Sequence, residues 1–173
     1  MLVATGRGQI ILGIDPGTAI MGWGVIRQQG SKLRYVQHGA ITTPSDWPMP
    51  RRLSRLFDGV TRLVEGYGPD TVAVEELFFN TNVTTGITVG QARGVALLAA
   101  YRAGIPVAEY TPMEVKQAIT SYGRADKRQV QEMVKALLSL PEIPRPDDAA
   151  DGLAIAVTHA FSSRMPGKVG VGK

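Results

Sequence analysis

At 173 residues the chain is long enough for one domain with a substantial core, and no stretch approaches the roughly 20 apolar residues of a membrane span. The absence of cysteine excludes disulfides, thiolate metal sites and cysteine nucleophiles. The two histidines, His38 and His159, are too few for an imidazole-rich centre, so any metal would be held by oxygen, which selects a hard cation such as Mg²⁺ or Mn²⁺. The formal net charge of +4 and pI near 9.6 permit a polyanionic partner without requiring one.

Residues 1–8 read as a loose leader with no apolar signal core, and with the lack of cysteine this points to a cytoplasmic protein that touches no membrane. Gln9 to Ile14 reads as a buried strand closed by Asp15-Pro16-Gly17-Thr18. Gly22 to Gln28 and Leu33 to Thr42 read as two more, with Gly30-Ser31 as the turn between them. Three consecutive strands predict an antiparallel meander. A break spans Pro44 to Pro50. Leu53, Leu56, Phe57, Val60, Leu63 and Val64 then recur at helical spacing, with Arg51, Arg52, Arg55 and Arg62 mostly on the other side. Gly66 and Gly68-Pro69 end that helix.

Thr71 to Val74 is β-branched and apolar, a short buried strand ending at Glu75-Glu76. Residues 84–103 are rich in Gly and Ala and read as a helix in close contact with another surface, which is either the sheet of its own chain or a second copy. Val107 to Tyr110 is a fifth strand. Pro112 opens a helical segment to about Thr120. Lys127 to Leu138 forms another helix, with Val130, Met133, Val134, Leu137 and Leu138 as its apolar stripe. A linker with Pro141, Pro144 and Pro146 leads to the last helix, about Asp147 to Ser162, in which Leu153, Ala156 and Val157 would pack on the sheet. The tail, 163–173, reads as disordered. Strand-helix-strand units imply parallel pairing through right-handed crossovers. The expected architecture is one α/β domain over 9–162: a mixed five-stranded sheet with helices on both faces, an order that matches the ribonuclease H-like fold.

Four carboxylates stand out by position. Asp15 and Glu75 end strands, where α/β sheets build their sites. Asp148 and Asp151 lie one helical turn apart and face the same side. Each has a plainer reading: a turn residue for Asp15, an exposed strand end for Glu75, complements to the helix dipole for the pair. Asp147 would already serve as the helix cap, however, so three acids in five positions exceed what capping needs. Clustered carboxylates would repel one another without a cation. Two divalent ions about 3.5–4 Å apart would neutralise them and clamp a phosphodiester, one activating water and the other stabilising the leaving 3′ oxygen. No His, Cys or Ser nucleophile is then required.

The series Gly13-Ile14-Asp15-Pro16-Gly17-Thr18, Gly22-x-Gly24-Val25-Ile26, Glu75-x-x-Phe78, Gly90-Gln91-Ala92-Arg93-Gly94, Val115-Lys116-Gln117, Ala125-x-Lys127 and Asp148-Ala149-Ala150-Asp151-Gly152-Leu153-Ala154-Ile155-Ala156 resembles the RuvC family of bacterial Holliday junction resolvases. The resemblance covers about residues 10–162. It implies a metal-dependent endonuclease that makes paired symmetric nicks in four-way branched DNA, with Asp15, Glu75, Asp148 and Asp151 as the catalytic and metal-binding acids. It also implies a homodimer working beside the branch-migration proteins RuvA and RuvB. Two positions depart from the family pattern. Asp147 adds an acid that could compete as a ligand. Gly152 stands where alanine is usual, at a helical cost of about 1 kcal/mol, explained either by close packing or by loose local structure.

Phe78, matched by the family, would stack on a base at the junction centre, an interaction of about 1–3 kcal/mol that tolerates any base; Phe79 beside it lacks that match, and both could instead tuck into the core. Lys116 and Lys127 match family positions linked to DNA contact, and with Arg124 and Arg128 they are expected to bind phosphates rather than form an idle solvated face. Arg93 is either structural or part of a dimer contact. Two rival readings are a non-catalytic junction-binding scaffold of the same fold, which has no use for four acids, and a related nuclease acting on RNA. A third is an actin-like ATPase or sugar kinase, which also opens on Gly-Ile-Asp-x-Gly-Thr but needs a second phosphate motif and a longer chain.

Overall fold

The computed structural model describes residues 6–76 and 82–164. Phe78 and Phe79 therefore lie outside the described residues, as do most of the expected leader and tail. The elements run β1 (Gln9–Asp15), β2 (Ile20–Gln29), β3 (Lys32–Thr42), α1 (Met49–Tyr67), β4 (Thr71–Glu75), α2 (Val83–Arg102), β5 (Val107–Tyr110), α3 (Pro112–Thr120), α4 (Lys127–Leu137) and α5 (Asp147–Ser162). The sheet order is β3-β2-β1-β4-β5. β1, β2 and β3 form the expected antiparallel meander, and β4 and β5 add parallel to β1.

Most element boundaries fall within one residue of the sequence reading, and two differ by more. β2 starts at Ile20, two residues early, because Ile20 pairs with Thr42 at the end of the β2–β3 ladder. α1 starts at Met49, inside the expected break, with Pro48 as N-cap and Pro50 in the first turn. Proline is tolerated there because first-turn N–H groups have no intrahelical partner. Gly66 stays helical. Gly68, at φ 56°, closes the helix by donating its N–H to the Val64 carbonyl at 2.9 Å.

Strand periodicity divides the core into two layers. Ile10, Leu12, Ile14, Met21, Val25, Val72 and Val74 point to one face, where they meet Leu56, Val60 and Val64 of α1 and Ala92, Ala96, Ala99 and Ala100 of α2. Ile11, Ile26 and Ala73 point to the other, under α3, α4 and α5. Ala92, Ala96, Ala99 and Ala100 of α2 thus pack within the chain, and Gly94 with the larger Val83, Ile87, Leu98 and Tyr101 is left on its outer side. α5 is buried almost all round, not along one stripe: ten of its residues from Ala149 to Ala160 are buried, because α3 and α4 cover the side that the sheet does not.

α5 crosses β1 and β2 where those strands carry glycine. A Cβ on Gly13 would lie 2.0 Å from the Gly152 carbonyl oxygen, and one on Gly22 would lie 1.8 Å from the Asp148 carbonyl oxygen. From the helix side, a Cβ on Gly152 would lie 2.6 Å from the Trp23 Cα. Close packing therefore accounts for Gly152.

Gly13→Ala is expected to lower the midpoint of urea unfolding. The overpacking costs typically about 1–3 kcal/mol. Gly66→Ala, at an exposed helical site with nothing within 4 Å of the new methyl, is expected to raise it by about 0.4–1 kcal/mol. Equal midpoints for the two variants would contradict this account of the packing.

Candidate active site

The pleat aims the strand acids. Ile14 pairs with Val74 across the parallel β1–β4 ladder, so Asp15 and Glu75 leave neighbouring strands side by side, about 4.8 Å apart at the backbone. Ile14 and Val74 face α1 and α2. The next residue on each strand must face the other way, toward α5. The seating of α5 against Gly22 and Trp23 brings its first turns over the same strand ends, and the one-turn spacing of Asp148 and Asp151 adds two more carboxylates.

Electrostatics registers the convergence. Burial, and then the charges of Glu75, Asp151 and Asp148, push the Asp15 carboxyl up to about 9. Burial followed by Asp151 raises Glu75, against the opposing pull of Lys116 and Lys127. Burial also raises Asp151, although Lys127 opposes it. A hydrogen bond between Asp15 and Glu75 adds to the rise at Asp15 and offsets part of the rise at Glu75.

The expected basic residues divide. Lys116 and Lys127 line a cleft of about 260 Å³ together with Glu75 and Asp151, walled by Pro112, Val115 and Ile155. Lys127 Nζ lies 3.5 Å from Asp151 and 3.8 Å from Asp147. Burial alone would lower its pKa, but Asp151, Asp147 and Asp148 together raise it. Arg124 and Arg128 are outside the cleft wall. Arg128 pairs along its own helix with Glu132 at 3.1 Å. Arg93 pairs with Glu109 of β5, which makes it a structural contact within the chain. Asp147 is not the helix cap. Pro146 occupies that position and its carbonyl accepts from Ala149 at 2.9 Å, while Asp147 turns outward to Arg145 and Lys127.

Oxygen is the only strong donor type that these acids offer, and each carboxylate raises the next, which suits a hard divalent cation. Among the described residues no three side chains are closed into a group that could hold an ion as they stand. Lys127 leans on Asp151 and Asp15 binds Glu75, so the ligand set fits in chemistry and is open in geometry.

The family model of the crossover junction endodeoxyribonuclease RuvC matches residues 11–159. The chain is 81% identical to the protein of that name from Rubrobacter xylanophilus, over 95% of this chain and 92% of that one. It is 59% identical to the one from Chloroflexus aggregans, over 92% and 98%. Its fold is similar to that of the solved T. thermophilus RuvC in complex with Holliday junction substrate, with a TM-score of 0.86, 41% identity and coverage of 90% of this chain and 95% of that one.

The raised acids set a pH dependence for the metal-free protein. A carboxyl with a folded pKa above its unfolded value stabilises the fold below the unfolded pKa and loses that contribution as pH rises through the folded one. In chelator, the melting temperature is expected to fall between the ordinary carboxyl value of 3.8 and about 9, and Asp15→Asn is expected to flatten the fall. Adding Mg²⁺ or Mn²⁺ at the alkaline end should restore the melting temperature. A chelated protein with a flat profile across that range would contradict the convergence of the acids.

Proposed function

The chain belongs to the RuvC family of crossover junction endodeoxyribonucleases, and from that premise we propose how its residues carry out the reaction. It is a nuclease that resolves four-way DNA junctions. The observation that carries the mechanistic reading is the convergence of Asp15, Glu75 and the Asp148/Asp151 pair on one face at the end of the central strands β1 and β4, three of them with raised pKa. These four are the metal-binding and catalytic acids. Two divalent ions per site, Mg²⁺ with Mn²⁺ as a substitute, would supply charge neutralisation, an activated water and stabilisation of the leaving 3′ oxygen.

The chain's own side chains prepare that site. Asp15, its pKa raised by burial and by its acidic neighbours, would hold a cation as the carboxylate. Asp151 would hold the cation in place of its present contact with Lys127. Lys127, freed at the rim of the cleft beside Lys116, then faces the incoming phosphodiester, so one ammonium serves first as internal counter-charge and then as substrate contact. Arg124 and Arg128 add phosphate contacts farther out, and Phe78 stacks on a base at the junction centre. The nuclease domain spans 9–162.

A homodimer would place two such sites for paired symmetric nicks. The outer side of α2 supports it: Val83 and Tyr101 are 68% and 81% exposed, and with Ile87 and Leu98 they form an apolar stripe that is left exposed among the described residues. Large apolar patches of this kind mark interfaces. No helix of the described residues is long and apolar enough to cross a membrane, and a cytoplasmic setting beside RuvA and RuvB fits the substrate.

With a synthetic four-way junction and Mg²⁺ or Mn²⁺, the unmodified chain is expected to make two symmetric nicks. Asp15→Asn should bind the junction while losing more than the ~10–100-fold in activity that loss of an outer-shell metal partner costs. Binding without cutting by both proteins, with either metal, would favour the scaffold reading. Separately, Leu98→Glu/Tyr101→Glu is expected to shift the mass in solution from a dimer to a single chain. A dimer that survives both substitutions would remove α2 as the interface.

A further inference from the structure

The helical spacing puts Arg51, Arg52, Arg55 and Arg62 mostly on the side of α1 away from its apolar stripe. In the structure Arg51, Arg55 and Arg62 fall four and seven residues apart and so share one face. With Trp47 they line a groove of about 380 Å³ between α1 and β3. The helix settles there because Gly59 has no side chain: a Cβ would lie 2.6 Å from Ile41 Cδ1. Asp58 is the one acid in the wall. Among the described residues none of the three arginines takes part in an ion pair.

Two of the arginines are held in place without being neutralised. The Arg51 guanidinium lies 3.7 Å over the Trp47 ring, and Arg55 Nε donates to the Thr42 carbonyl at 2.6 Å. The groove is also anchored to the acidic edge. Thr43 N donates to the Ala19 carbonyl at 3.0 Å, its hydroxyl donates to the Thr18 carbonyl, and Arg52 Nε donates to the Thr43 hydroxyl at 2.8 Å. Thr18 closes the turn that begins at Asp15. The groove therefore starts at the same end of the sheet as the carboxylates, on the α1 face where they lie on the α5 face, and runs away from that end along α1.

We propose that this groove is a sequence-independent phosphate track for one duplex arm of the branched DNA, outside the cleavage centre. The inference rests on the nuclease reading above. Arg51 and Arg62 are about 16 Å apart along the helix at 1.5 Å per residue, a length over which duplex DNA carries about ten charges. Planar guanidinium forks match phosphate oxygens in pairs, and Trp47 and the Thr42 carbonyl hold two of these forks at the groove wall. An acidic protein surface would be drawn to the same charges, but the position at the same end of the sheet as the acids favours DNA.

The test measures binding to a long-armed four-way junction and to one whose arms are too short to reach α1, in an Asp15→Asn background so that the DNA stays intact. Adding Arg51→Gln/Arg62→Gln is expected to reduce the log-log salt slope on the long-armed junction by about 2 and to leave the short-armed slope unchanged. Arg51→Lys/Arg62→Lys, which keeps the charge, should restore the slope. An unchanged long-armed slope overturns the track and leaves the groove to an acidic protein. A loss that the Lys variant does not restore also overturns it, because the effect is then not one of charge. Cutting by the unmodified chain is recorded in parallel. Cutting without a slope change removes only this inference, and a slope change without cutting removes only the nuclease reading.

Discussion

Helix α5 can lie against the backbone of β1 and β2 only where side chains are missing from both surfaces. Gly13, Gly22 and Gly24 supply the gap in the sheet and Gly152 supplies it in the helix. Helices on sheets normally ride on a layer of aliphatic side chains. Here the first turns of α5 touch main chain, so the carboxylates of Asp148 and Asp151 come in low enough to share a space with Asp15 and Glu75. The same contact explains why α5 is small-residue-rich and buried on nearly every side.

That proximity has an electrostatic cost. Three of the four acids are raised by burial reinforced by one another's charge. Two lysines from α3 and α4 moderate it from the open side of the cleft. The arrangement is thus under-neutralised in a way that a divalent cation would relieve, and the chain offers no softer donor there. Folding energy from the rest of the core, in two apolar layers above and below the sheet, holds the acids together against their repulsion. Strain of this kind is what a preorganised site stores.

Much of this was legible in the residues. Buried apolar runs located the strands, helical spacing located α1 and α4, and small-residue content, Pro112 and the proline linker located α2, α3 and α5. The strand-end positions of Asp15 and Glu75 and the spacing of Asp148 and Asp151 marked the site, and the ordered motifs marked the family. Other features depend on tertiary contact and were not legible. Gly152 could mean packing or looseness until Trp23 was seen against it. Asp147 looked like a cap until Pro146 took that place. The small residues of α2 suited an interface equally well, but Ala92, Ala96, Ala99 and Ala100 face inward because Leu56 and Val60 of α1 share their layer. Arg51, Arg55 and Arg62 read as ordinary surface charge, since no local pattern tells an idle basic helix face from one that borders a groove.

The central claim is that backbone contact at the glycines, and not the acids alone, makes the metal site. Calorimetric titration of Mn²⁺ into the unmodified chain and into Gly22→Ala tests it most directly, because that methyl would displace Asp148 without altering any ligand. The account predicts clearly weaker Mn²⁺ binding by the folded Gly22→Ala protein. Binding as tight as that of the unmodified chain would contradict it, and would mean that the four carboxylates find the ion regardless of how α5 is seated.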